Sequence, residues 1–386
     1  MKGESIIYFA KEWGGDPTSC DHVFKHLAAD NKVLWVNSIS MRSPSLASAR
    51  DLKKILRKLR MCLGGLRQVG PRAWVYQPMV IPLPYSSLAR IVNRRLLRWF
   101  LQRQARKLGM ARPQMWTFLP NVADMVGQLD ESLVVYYCID EWSAFSYLDG
   151  EKMAAMERDL LRKADICLAT AHTLVTSKRE YNPNTFLSSH GVDYQHFAKA
   201  LAPETNVPED IGHLPHPVIG FFGLIHDWID LKLIAEVGRT HPEWSVVLIG
   251  EVCVSLDGVR ELPNIRILGR RPYDTLPAYC KGFDVGIIPF VVSDLSRAVN
   301  PIKLREYLSA GLPVVSTDLP EVKYYSDICS VAHGHDEFIA SLEHALRDDT
   351  PAKRHQRSDA MRDETWEAKM KHVCERVGQA KGARSQ

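Results

Sequence analysis

The chain has 386 residues and a net charge of +4, with 46% hydrophobic and 24% charged residues. This is an ordinary globular composition, and the length fits two domains of average size better than one. It excludes a membrane-spanning protein, because no window approaches the roughly 18 apolar residues of a membrane helix. The opening residues MKGESIIYFA become polar too early for a signal peptide, which predicts a cytoplasmic protein.

Short apolar and β-branched runs recur along the chain and alternate with helical patterns. In the first half they predict strands at residues 5–10, 32–37, 73–78, 114–119, 133–140, 166–170 and 185–189. In the second half they predict strands at 217–222, 245–250, 265–269, 285–290, 313–317 and 328–332. Because these strands are continuously apolar, they indicate parallel sheets covered on both faces. The fold class predicted is α/β, with two doubly wound Rossmann-like domains.

Residues 199–216, KALAPETNVPEDIGHLPH, are rich in proline and polar side chains and are the natural linker. The predicted domains are therefore 1–198 and 217–350, followed by a helical tail over 351–386. The eight cysteines include no C-x-x-C pair and no His/Cys cluster at zinc spacing. Most lie in apolar runs such as VVYYCI, so we expect small buried side chains in a reducing compartment and no metal site.

The stretch NPIKLREYLSAGLPVVSTDLPEV, which starts at Asn300, predicts a short helix and then a buried strand. Asn300 is a favourable N-cap, Pro301 suits the first helical position, and Gly311 ends the helix. Lys303 lies in the first turn, where backbone N–H groups already favour an anion, so a cation there indicates a negative ligand. Glu306 lies on the same face, where a carboxylate can accept hydrogen bonds from sugar hydroxyls.

A plainer alternative is an exposed Lys303–Glu306 pair that only makes the helix more soluble, since such pairs are common. The position of the helix favours the ligand-binding interpretation. The helix follows the predicted strand VGIIPF and its loop. It therefore starts at the carboxyl end of a sheet, where open α/β sheets bind ligands.

The order of strand VGIIPF, a loop and then P-x-K-x-x-E-Y-x-x-x-G-x-P-V-V resembles the C-terminal half of GT-B glycosyltransferases. It is similar in particular to the GT4-like, group 1 branch of bacterial polysaccharide biosynthesis, of the teichuronic-acid type. The segments FFGLIHDWIDLKLI, LPNIRILGRRPYDTLPAYCKGFDVGIIPF, VVYYCIDEWSAF and SSHGVDYQHF agree with that branch over most of residues 130–325. The resemblance implies two domains that face a central cleft, and transfer of a sugar from a nucleoside diphosphate sugar.

In that family the second domain holds the nucleotide sugar. The donor-binding residues that the resemblance implies are Gly223, Arg270, Arg271, Asn300, Lys303 and Glu306. Glu306 would bind the ribose hydroxyls, and Lys303 with the amides at the start of the helix would hold the diphosphate. Gly223 would let the backbone approach the phosphates. Arg270 and Arg271 would line the base or phosphate end; alternatively, either arginine belongs to a solvated loop.

The sequence departs from the family pattern at two places. The usual motif has two glutamates eight positions apart, but the position eight before Glu306 is Ala298. The basic pair often found after the glycine loop is also missing, since the loop reads LIHDWID. His226, Asp227 and Asp294 are candidates to contact the sugar instead.

In the first domain, VVYYCIDEW ends a buried strand with Asp140 and Glu141 at its carboxyl edge. We expect Asp140 to act as the catalytic carboxylate that accepts the acceptor's proton, and Glu141 to bind the acceptor. The alternative for Asp140 is a helix N-cap. The loop WGGDPTS, with Gly14 and Gly15, follows the first strand and is also expected to contact the acceptor. No D-x-D motif of the other glycosyltransferase fold is present, so we expect no metal and no cofactor besides the co-substrate.

Basic residues are concentrated between positions 41 and 112, with 17 Lys or Arg and one acidic residue. DLKKILRKLRMCL predicts an amphipathic helix, and SLARIVNRRLLRWFLQRQARKLG places Arg90, Arg94 and Arg98 at i, i+4 spacing. Such helices suit an anionic membrane surface. The alternative is a solvated helix face, and nucleic acid is not expected because no recognised binding module is present.

Together these features predict a cytoplasmic glycosyltransferase that is peripheral on the inner face of the cell membrane. It would transfer the sugar to a hydroxyl of a lipid-linked acceptor, with retention of configuration. Two alternatives stay open. One is a sugar-nucleotide epimerase that uses the same donor pocket, and the other is a non-catalytic nucleotide-sugar-binding subunit, suggested by the missing glutamate.

Overall fold

The structure, a computed structural model, describes residues 1–39, 41 and 65–384. It divides into two compact units, one formed by Met1–Ser189 with Met370–Gln386 and one formed by His190–Lys369. The segment 199–216, expected as a linker, lies inside the second unit, because Ile211 and Leu214 are buried in its apolar core. The expected tail is divided, since its residues from Met370 onward belong to the first unit.

The strands of the first unit are β1 (Ser5–Phe9), β2 (Lys32–Val36), β3 (Leu66–Gly70), β4 (Ala73–Tyr76), β5 (Gln114–Thr117), β6 (Leu133–Cys138), β7 (Ile166–Ala169) and β8 (Thr185–Leu187). They form one sheet in the order β3-β4-β2-β1-β5-β6-β7-β8. Every pair is parallel except β3 with β4. The seven predicted strands are confirmed. Strand β3 was missed because LRQVG is a largely exposed edge strand without an apolar run.

The helices of the first unit are α1 (Ser19–Asp30), α2 (Ser87–Lys107), α3 (Gly150–Lys163) and α4 (His172–Arg179). Short 3₁₀ turns lie at Pro120–Met125 and Trp142–Ala144. Helix α2 begins where the hydroxyl of Ser86 accepts a hydrogen bond from the amide of Ala89, as an N-cap does. The amphipathic helix predicted for DLKKILRKLRMCL lies outside the described residues. Within the described ranges, no helix combines the length and apolarity needed to cross a bilayer.

The strands of the second unit are β9 (Val218–Phe222), β10 (Ser245–Ile249), β11 (Ile265–Gly269), β12 (Val285–Ile288), β13 (Val314–Thr317) and β14 (Ser330–Ala332). They form a parallel sheet in the order β11-β10-β9-β12-β13-β14, which confirms all six predicted strands. This is the Rossmann order, in which the winding direction reverses between β9 and β12. The carboxyl ends of β9 and β12 are therefore the topological switch point, where doubly wound sheets bind ligands.

The helices of the second unit are α5 (Tyr194–Phe197), α6 (Glu209–Gly212), α7 (Leu231–Thr240), α8 (Leu276–Lys281), α9 (Asp294–Arg297), α10 (Ile302–Ser309), α11 (Pro320–Lys323), α12 (His335–Asp348) and α13 (Pro351–Asp359). A closing helix, α14, spans Trp366–Arg384. Strand β9 is buried on both faces: Val218 and Phe222 pack in one apolar cluster, and Ile219 and Phe221 pack in another. The predicted α/β fold is confirmed, with a central position for β9.

Candidate functional site

Helix α10 follows β12 and the short helix α9, so it starts at the switch point of the second unit. Pro301 occupies its cap position, and no side chain caps the first turn. That turn contains Lys303 and no acidic residue. Because the first amides of a helix have no intrahelical acceptor, an uncapped first turn with a cation beside it is suited to an anion.

The predicted helix end is confirmed, but its predicted start is wrong. Gly311 has a φ of +81° two residues after the last helical residue, as a helix stop requires. Asn300 does not cap the helix. Its Oδ1 accepts a hydrogen bond from Nη1 of Arg305 at 2.7 Å, and its Nδ2 donates to Oε2 of Glu321 at 3.2 Å. The guanidinium thus takes the oxygen that a cap would offer to the helix amides.

Lys303 and Glu306 form an ion pair with 3.0 Å between Nζ and Oε2. The Glu306 side chain is 6% exposed and that of Lys303 is 22% exposed. Nζ of Lys303 also lies 4.9 Å from the ring centre of Phe222, the last residue of β9. The alternative of an exposed, solubilising pair is therefore wrong for Glu306, because its carboxylate is removed from water.

Two glycines bring the carboxyl ends of β9 and β10 into backbone contact. Gly223 and Gly250 have φ values of +148° and +150°, which side chains rarely adopt. A Cβ on Gly250 would lie 1.7 Å from the carbonyl oxygen of Gly223, and a Cβ on Gly223 would lie 3.3 Å from Cε of Lys303. Gly250 was not among the predicted residues, although its position after SVVLI repeats the strand-then-glycine pattern of Gly223.

Tyr307 fixes α10 against the strands of the switch point. Its hydroxyl accepts a hydrogen bond from the amide of Phe222 at 2.9 Å. Its ring occupies the space left by Gly286 of β12, where a Cβ would lie 2.8 Å from the ring. Burial raises the pKa of Tyr307, so the phenol stays neutral and serves as a polar anchor. The contact sets the position of Lys303 relative to Gly223.

Tyr273, which follows β11, is a neighbour of Glu306 that sequence reasoning missed. Burial is the main cause of the raised pKa of Tyr273, and the negative charge of Glu306 raises it further. The ring of His196 stacks on Tyr273 with 4.6 Å between ring centres and 11° between planes. Only its position two residues after the arginine pair could have suggested this location.

Arg270 and Arg271 have different surroundings. Nη2 of Arg271 lies 2.8 Å from Oδ2 of Asp210, and Nε donates to the hydroxyl of Tyr279 at 2.8 Å. Arg271 therefore joins α6 to α8. Arg270 is exposed. Contact of either arginine with a ligand stays a prediction.

The three polar residues suggested as sugar contacts lie on separate segments of the second unit. His226 and Asp227 share a hydrogen bond of 2.6 Å between Nδ1 and Oδ1, and the His226 ring stacks on Trp228 at 4.3 Å. The next residues of this loop pair with the segment after β12, where the amide of Val291 donates to the carbonyl of Trp228. Asp294 is the first residue of α9. Their contact with a sugar stays a prediction.

In the first unit, Asp140 and Glu141 follow β6 as predicted. Asp140 is half-buried and caps no helix, since the adjacent 3₁₀ turn has Glu141 in the cap position. Burial raises the pKa of Asp140 to about 7, and the charge of Glu141 adds to this effect. A carboxyl group with this pKa can release or take up a proton near neutral pH.

A buried lysine that sequence reasoning missed binds Glu141. Nζ of Lys178, on α4, lies 2.6 Å from Oε2 of Glu141 and 2.8 Å from Oε2 of Glu157 on α3. The side chains of Lys178 and Glu157 are 6% and 4% exposed. Burial raises the pKa of Glu157, whereas for Lys178 the nearby carboxylates outweigh burial and raise the pKa of the ammonium. The hydroxyl of Tyr136 also donates to Glu157.

Gly14 and Gly15 are exposed in the loop after β1. A Cβ on Gly14 would meet nothing within 4 Å, although the φ of +94° favours glycine. The loop is held by Lys11, whose Nζ donates to the carbonyl of Asp16 at 2.7 Å. Contact of this loop with an acceptor stays a prediction.

The three arginines predicted for a membrane surface are not equivalent. Arg90 forms a bidentate pair with Asp124 at 2.7 and 2.8 Å. Burial works to raise the pKa of Asp124, but hydrogen bonds from Arg90 hold it below its ordinary value. Arg90 thus anchors α2 to the turn at Pro120–Met125. Arg94 and Arg98 are exposed on α2.

Comparisons with known proteins agree with this architecture. Residues 216–348 match the family of group 1 glycosyl transferases. Over 292 residues the chain is 25% identical to a Bacillus subtilis protein assigned to teichuronic acid biosynthesis as the glycosyltransferase TuaH. The matched region covers 70% of this chain and 72% of TuaH.

Solved structures with the same fold cover nearly the whole chain. Sucrose-phosphate synthase of Thermosynechococcus elongatus has a TM-score of 0.72 at 15% identity, covering 98% of this chain and 100% of its own. Anabaena HepE, solved with UDP and glucose, has a TM-score of 0.70 at 12% identity, covering 97% and 100%. A trehalose-phosphate synthase of Burkholderia vietnamiensis has a TM-score of 0.69 at 12% identity, covering 100% and 99%.

Two doubly wound units, with α10 at the switch point of the second, define the GT-B fold. The second unit contains a domain that matches the group 1 glycosyl transferases, and this domain spans residues 216–348. The resemblance inferred from the P-x-K-x-x-E-Y motif is thereby confirmed.

Proposed function

We propose that this enzyme takes its sugar from a nucleoside diphosphate sugar bound at the start of α10. It transfers the sugar to a hydroxyl group of a lipid-linked acceptor in the synthesis of a cell-surface polysaccharide. The observation that carries the proposal is the uncapped first turn of α10 at the switch point, with Lys303 held 3.0 Å from the buried carboxylate of Glu306.

The chemistry follows from where charge develops. When the bond between the sugar and the diphosphate breaks, negative charge builds up on the departing phosphate. Lys303 and the amides of the first turn are fixed donors aimed at that charge, and fixed donors need no reorganisation during the reaction. Glu306 orients the nucleotide by accepting hydrogen bonds from the ribose hydroxyls. We propose that the transfer is retaining and uses no metal ion, with Lys303 and these amides stabilising the departing diphosphate.

Two relatives support the choice of substrates. HepE was solved in complex with UDP-glucose, which makes uridine nucleotides the first donors to test. TuaH is assigned to teichuronic acid biosynthesis, an assignment that suggests a polysaccharide product for this chain as well. On the acceptor side, Asp140 is the proposed base that takes the proton of the attacking hydroxyl.

The test is calorimetric titration of the wild type and Glu306→Ala with UDP, ADP and GDP. We expect at least one nucleotide to bind, and Glu306→Ala to bind it about tenfold more weakly or worse, because hydrogen bonds to a charged group contribute about 1.5–3 kcal/mol. Glu261→Ala removes an exposed carboxylate of the same unit and serves as the matched control. Unchanged affinity of Glu306→Ala would remove the ribose assignment.

Turnover separates the proposal from its alternatives. Release of the nucleoside diphosphate that depends on an added lipid extract supports transfer to a lipid-linked acceptor. Interconversion of the donor sugar without an acceptor would instead favour the epimerase. Nucleotide binding with neither reaction would favour the non-catalytic subunit.

The surface around α2 supports a peripheral position on the inner face of the cell membrane. Half of the large apolar side chains that the described residues expose lie between positions 79 and 99. Leu88 and Trp99 are 72% and 56% exposed, and they share α2 with the exposed cations Arg94, Arg95 and Arg98. An amphipathic helix of this kind binds anionic lipid through both apolar burial and charge.

Sedimentation with phosphatidylcholine vesicles, with and without phosphatidylglycerol, tests this position. Changing Arg94, Arg95 and Arg98 together to Gln should weaken binding to the anionic vesicles about 100-fold at low salt, at about 1 kcal/mol per cation. Arg90 is left in place because it anchors α2 to Asp124. The control changes the exposed Lys25, Lys232 and Lys371 to Gln. Equal sedimentation of both triple variants would favour the solvated-face alternative.

A further inference from the structure

Arg305 is a buried charge on the helix of the proposed donor site. It is 2% exposed and is among the largest fully buried side chains of the described residues. It lies two residues after Lys303, on another face of the helix, and does not share the ion pair of Lys303 with Glu306. A buried guanidinium is costly unless its donors are satisfied, so its partners indicate why it is there.

The donors of Arg305 reach three different segments of the second unit. Nη1 donates to Oδ1 of Asn300 at 2.7 Å, and Nη2 donates to the hydroxyl of Tyr325 at 2.7 Å. Nε lies 3.2 Å from Oε2 of Glu364, which also accepts from Tyr325 at 3.3 Å. Lys369 lies 2.8 Å from the same Glu364 oxygen. The arginine therefore connects the loop before α10 to residues far along the chain.

The Asn300 end of this network lies directly before the first turn of α10, whose backbone amides would bind an anion. Asn300 is buried, and its Nδ2 is held by Glu321 while its Oδ1 is held by Arg305. Pro301 follows directly and has the cap position of α10. Fixing both ends of the Asn300 amide thus fixes the peptide that leads into the uncapped first turn. Backbone amides bind phosphate well only when they are aligned in advance.

We propose that Arg305 is a positioning residue for the diphosphate: through Asn300 it holds the first-turn amides of α10 in the geometry that receives the phosphates. The inference rests on the proposed function. It also assigns Asn300 an indirect role, in which its side chain organises the backbone instead of contacting the nucleotide. Ribose binding by Glu306 does not depend on Arg305, because Glu306 pairs with Lys303.

The test compares UDP with uridine, which lacks the phosphates, in Arg305→Lys and Arg305→Met. Lysine keeps the charge, but its donors all lie on one nitrogen and cannot reproduce the planar guanidinium fork that reaches three segments. We expect Arg305→Lys to bind UDP about tenfold more weakly while its affinity for uridine, measured by displacement of UDP, changes less than twofold. A residue that only stabilises the fold would change neither affinity, or both in equal proportion. Arg305→Met, if it folds, should lose at least as much UDP affinity.

A second buried arginine supplies the matched control. Nε of Arg357 donates to the carbonyl of Gly311 at 3.0 Å, so Arg357 holds the opposite end of α10. Arg357→Lys should lower the melting temperature and leave the ratio of UDP to uridine affinity unchanged. An equal change of that ratio in both lysine variants would overturn the inference.

The inference and the proposed function can fail separately. If the wild type bound UDP and Glu306→Ala weakened that binding, but Arg305→Lys bound UDP and uridine as the wild type does, the positioning role alone would be lost. If the wild type bound none of UDP, ADP and GDP, the proposed function would fail and the inference would fail with it.

Discussion

The central parallel strands of the two units follow the same winding order, but different chemistry lies at their carboxyl ends. In the second unit the switch point has two backbone-contacting glycines, Gly223 and Gly250, and an uncapped helix with Lys303. In the first unit the loop after β1 is exposed, and a pair of carboxyl groups, Asp140 and Glu141, follows β6. Backbone amides with a lysine suit an anion, whereas carboxyl groups suit a hydroxyl proton.

The difference also concerns how each region is stabilised. The second-unit site is shaped by backbone geometry, at the contact of Gly223 with Gly250 and at the first turn of α10. The first-unit site depends on a buried charge, since Lys178 forms ion pairs with both Glu141 and Glu157. The three predictions below test whether the first-unit site is determined by buried charge and the second-unit site by backbone geometry.

The largest effect is expected for Lys178→Met in the first unit. Removing the ammonium leaves Glu157 and Glu141 without their cation, and an uncompensated buried charge costs about 3–5 kcal/mol. Urea denaturation should show that loss in the free energy of unfolding. Lys163→Met breaks an exposed i, i+4 pair with Asp159 and should cost no more than about 0.5 kcal/mol. Similar values for both variants would mean that the buried pair contributes little.

Gly250→Ala should have the next largest effect, in the second unit. The new Cβ would collide with the carbonyl of Gly223 and would require a backbone angle that alanine rarely adopts. We expect a loss of about 2–3 kcal/mol of unfolding free energy and weaker UDP binding, because the Gly223 backbone must move.

The control for this change is Gly334→Ala. Gly334 has extended backbone, and a Cβ there would meet nothing within 4 Å. Because Gly334 is the N-cap of α12, where glycine is preferred to alanine, the change should cost up to about 1 kcal/mol, less than Gly250→Ala, and should leave UDP affinity unchanged. Full UDP affinity in Gly250→Ala would show that the contact between the two glycines is not needed for the site.

Asp140→Asn should have its effect mainly as a change of stability with pH. The pKa of Asp140 is about 7 in the folded protein, whereas an unfolded aspartate has a pKa of about 3.9. Between these values the folded chain keeps a proton that the unfolded chain releases, so Asp140 makes the wild type less stable as pH rises from about 4 to 7. Asparagine removes this dependence.

Thermal unfolding at pH 5 and pH 8 measures the predicted change. Stability of Asp140→Asn relative to the wild type should increase between the two pH values. Asp16→Asn, which removes an exposed carboxylate of the same unit, controls for the loss of one charge. A pH-independent difference for Asp140→Asn would contradict the raised pKa, and with it the proposed proton-accepting role.

Local sequence patterns were sufficient for most of the fold. The apolar runs that predicted β9 and β12 bury residues on both faces, so their identity does not depend on distant partners. The exposed β3 was missed because its pairing with β4 has no apolar signature. The expected linker belongs to the second unit, since Ile211 and Leu214 are too few to form a sequence pattern but pack in the apolar core of that unit.

For the candidate site, the sequence identified residues but not all of their partners. Lys303 and Glu306 lie three positions apart on one helix, so their contact is a local property. Asparagine is a favoured N-cap residue, but in the folded protein the Asn300 side chain forms hydrogen bonds with Arg305 and Glu321 instead of with the helix amides. Tyr273 could not be placed beside Glu306 without knowing the sheet order.

The sequence by itself determined the alternation of strands and helices, the stop at Gly311 and the shared face of Lys303 and Glu306. These features depend on the order and spacing of residues within one segment. Spacing sets which side chains share a face, and residue type sets the backbone preference. Only the tertiary structure decided the contact of Gly223 with Gly250 and the triad of Lys178, Glu141 and Glu157. Such contacts join segments that are far apart in the chain, and only the packed sheets bring their atoms within range of hydrogen bonds and short-range repulsion.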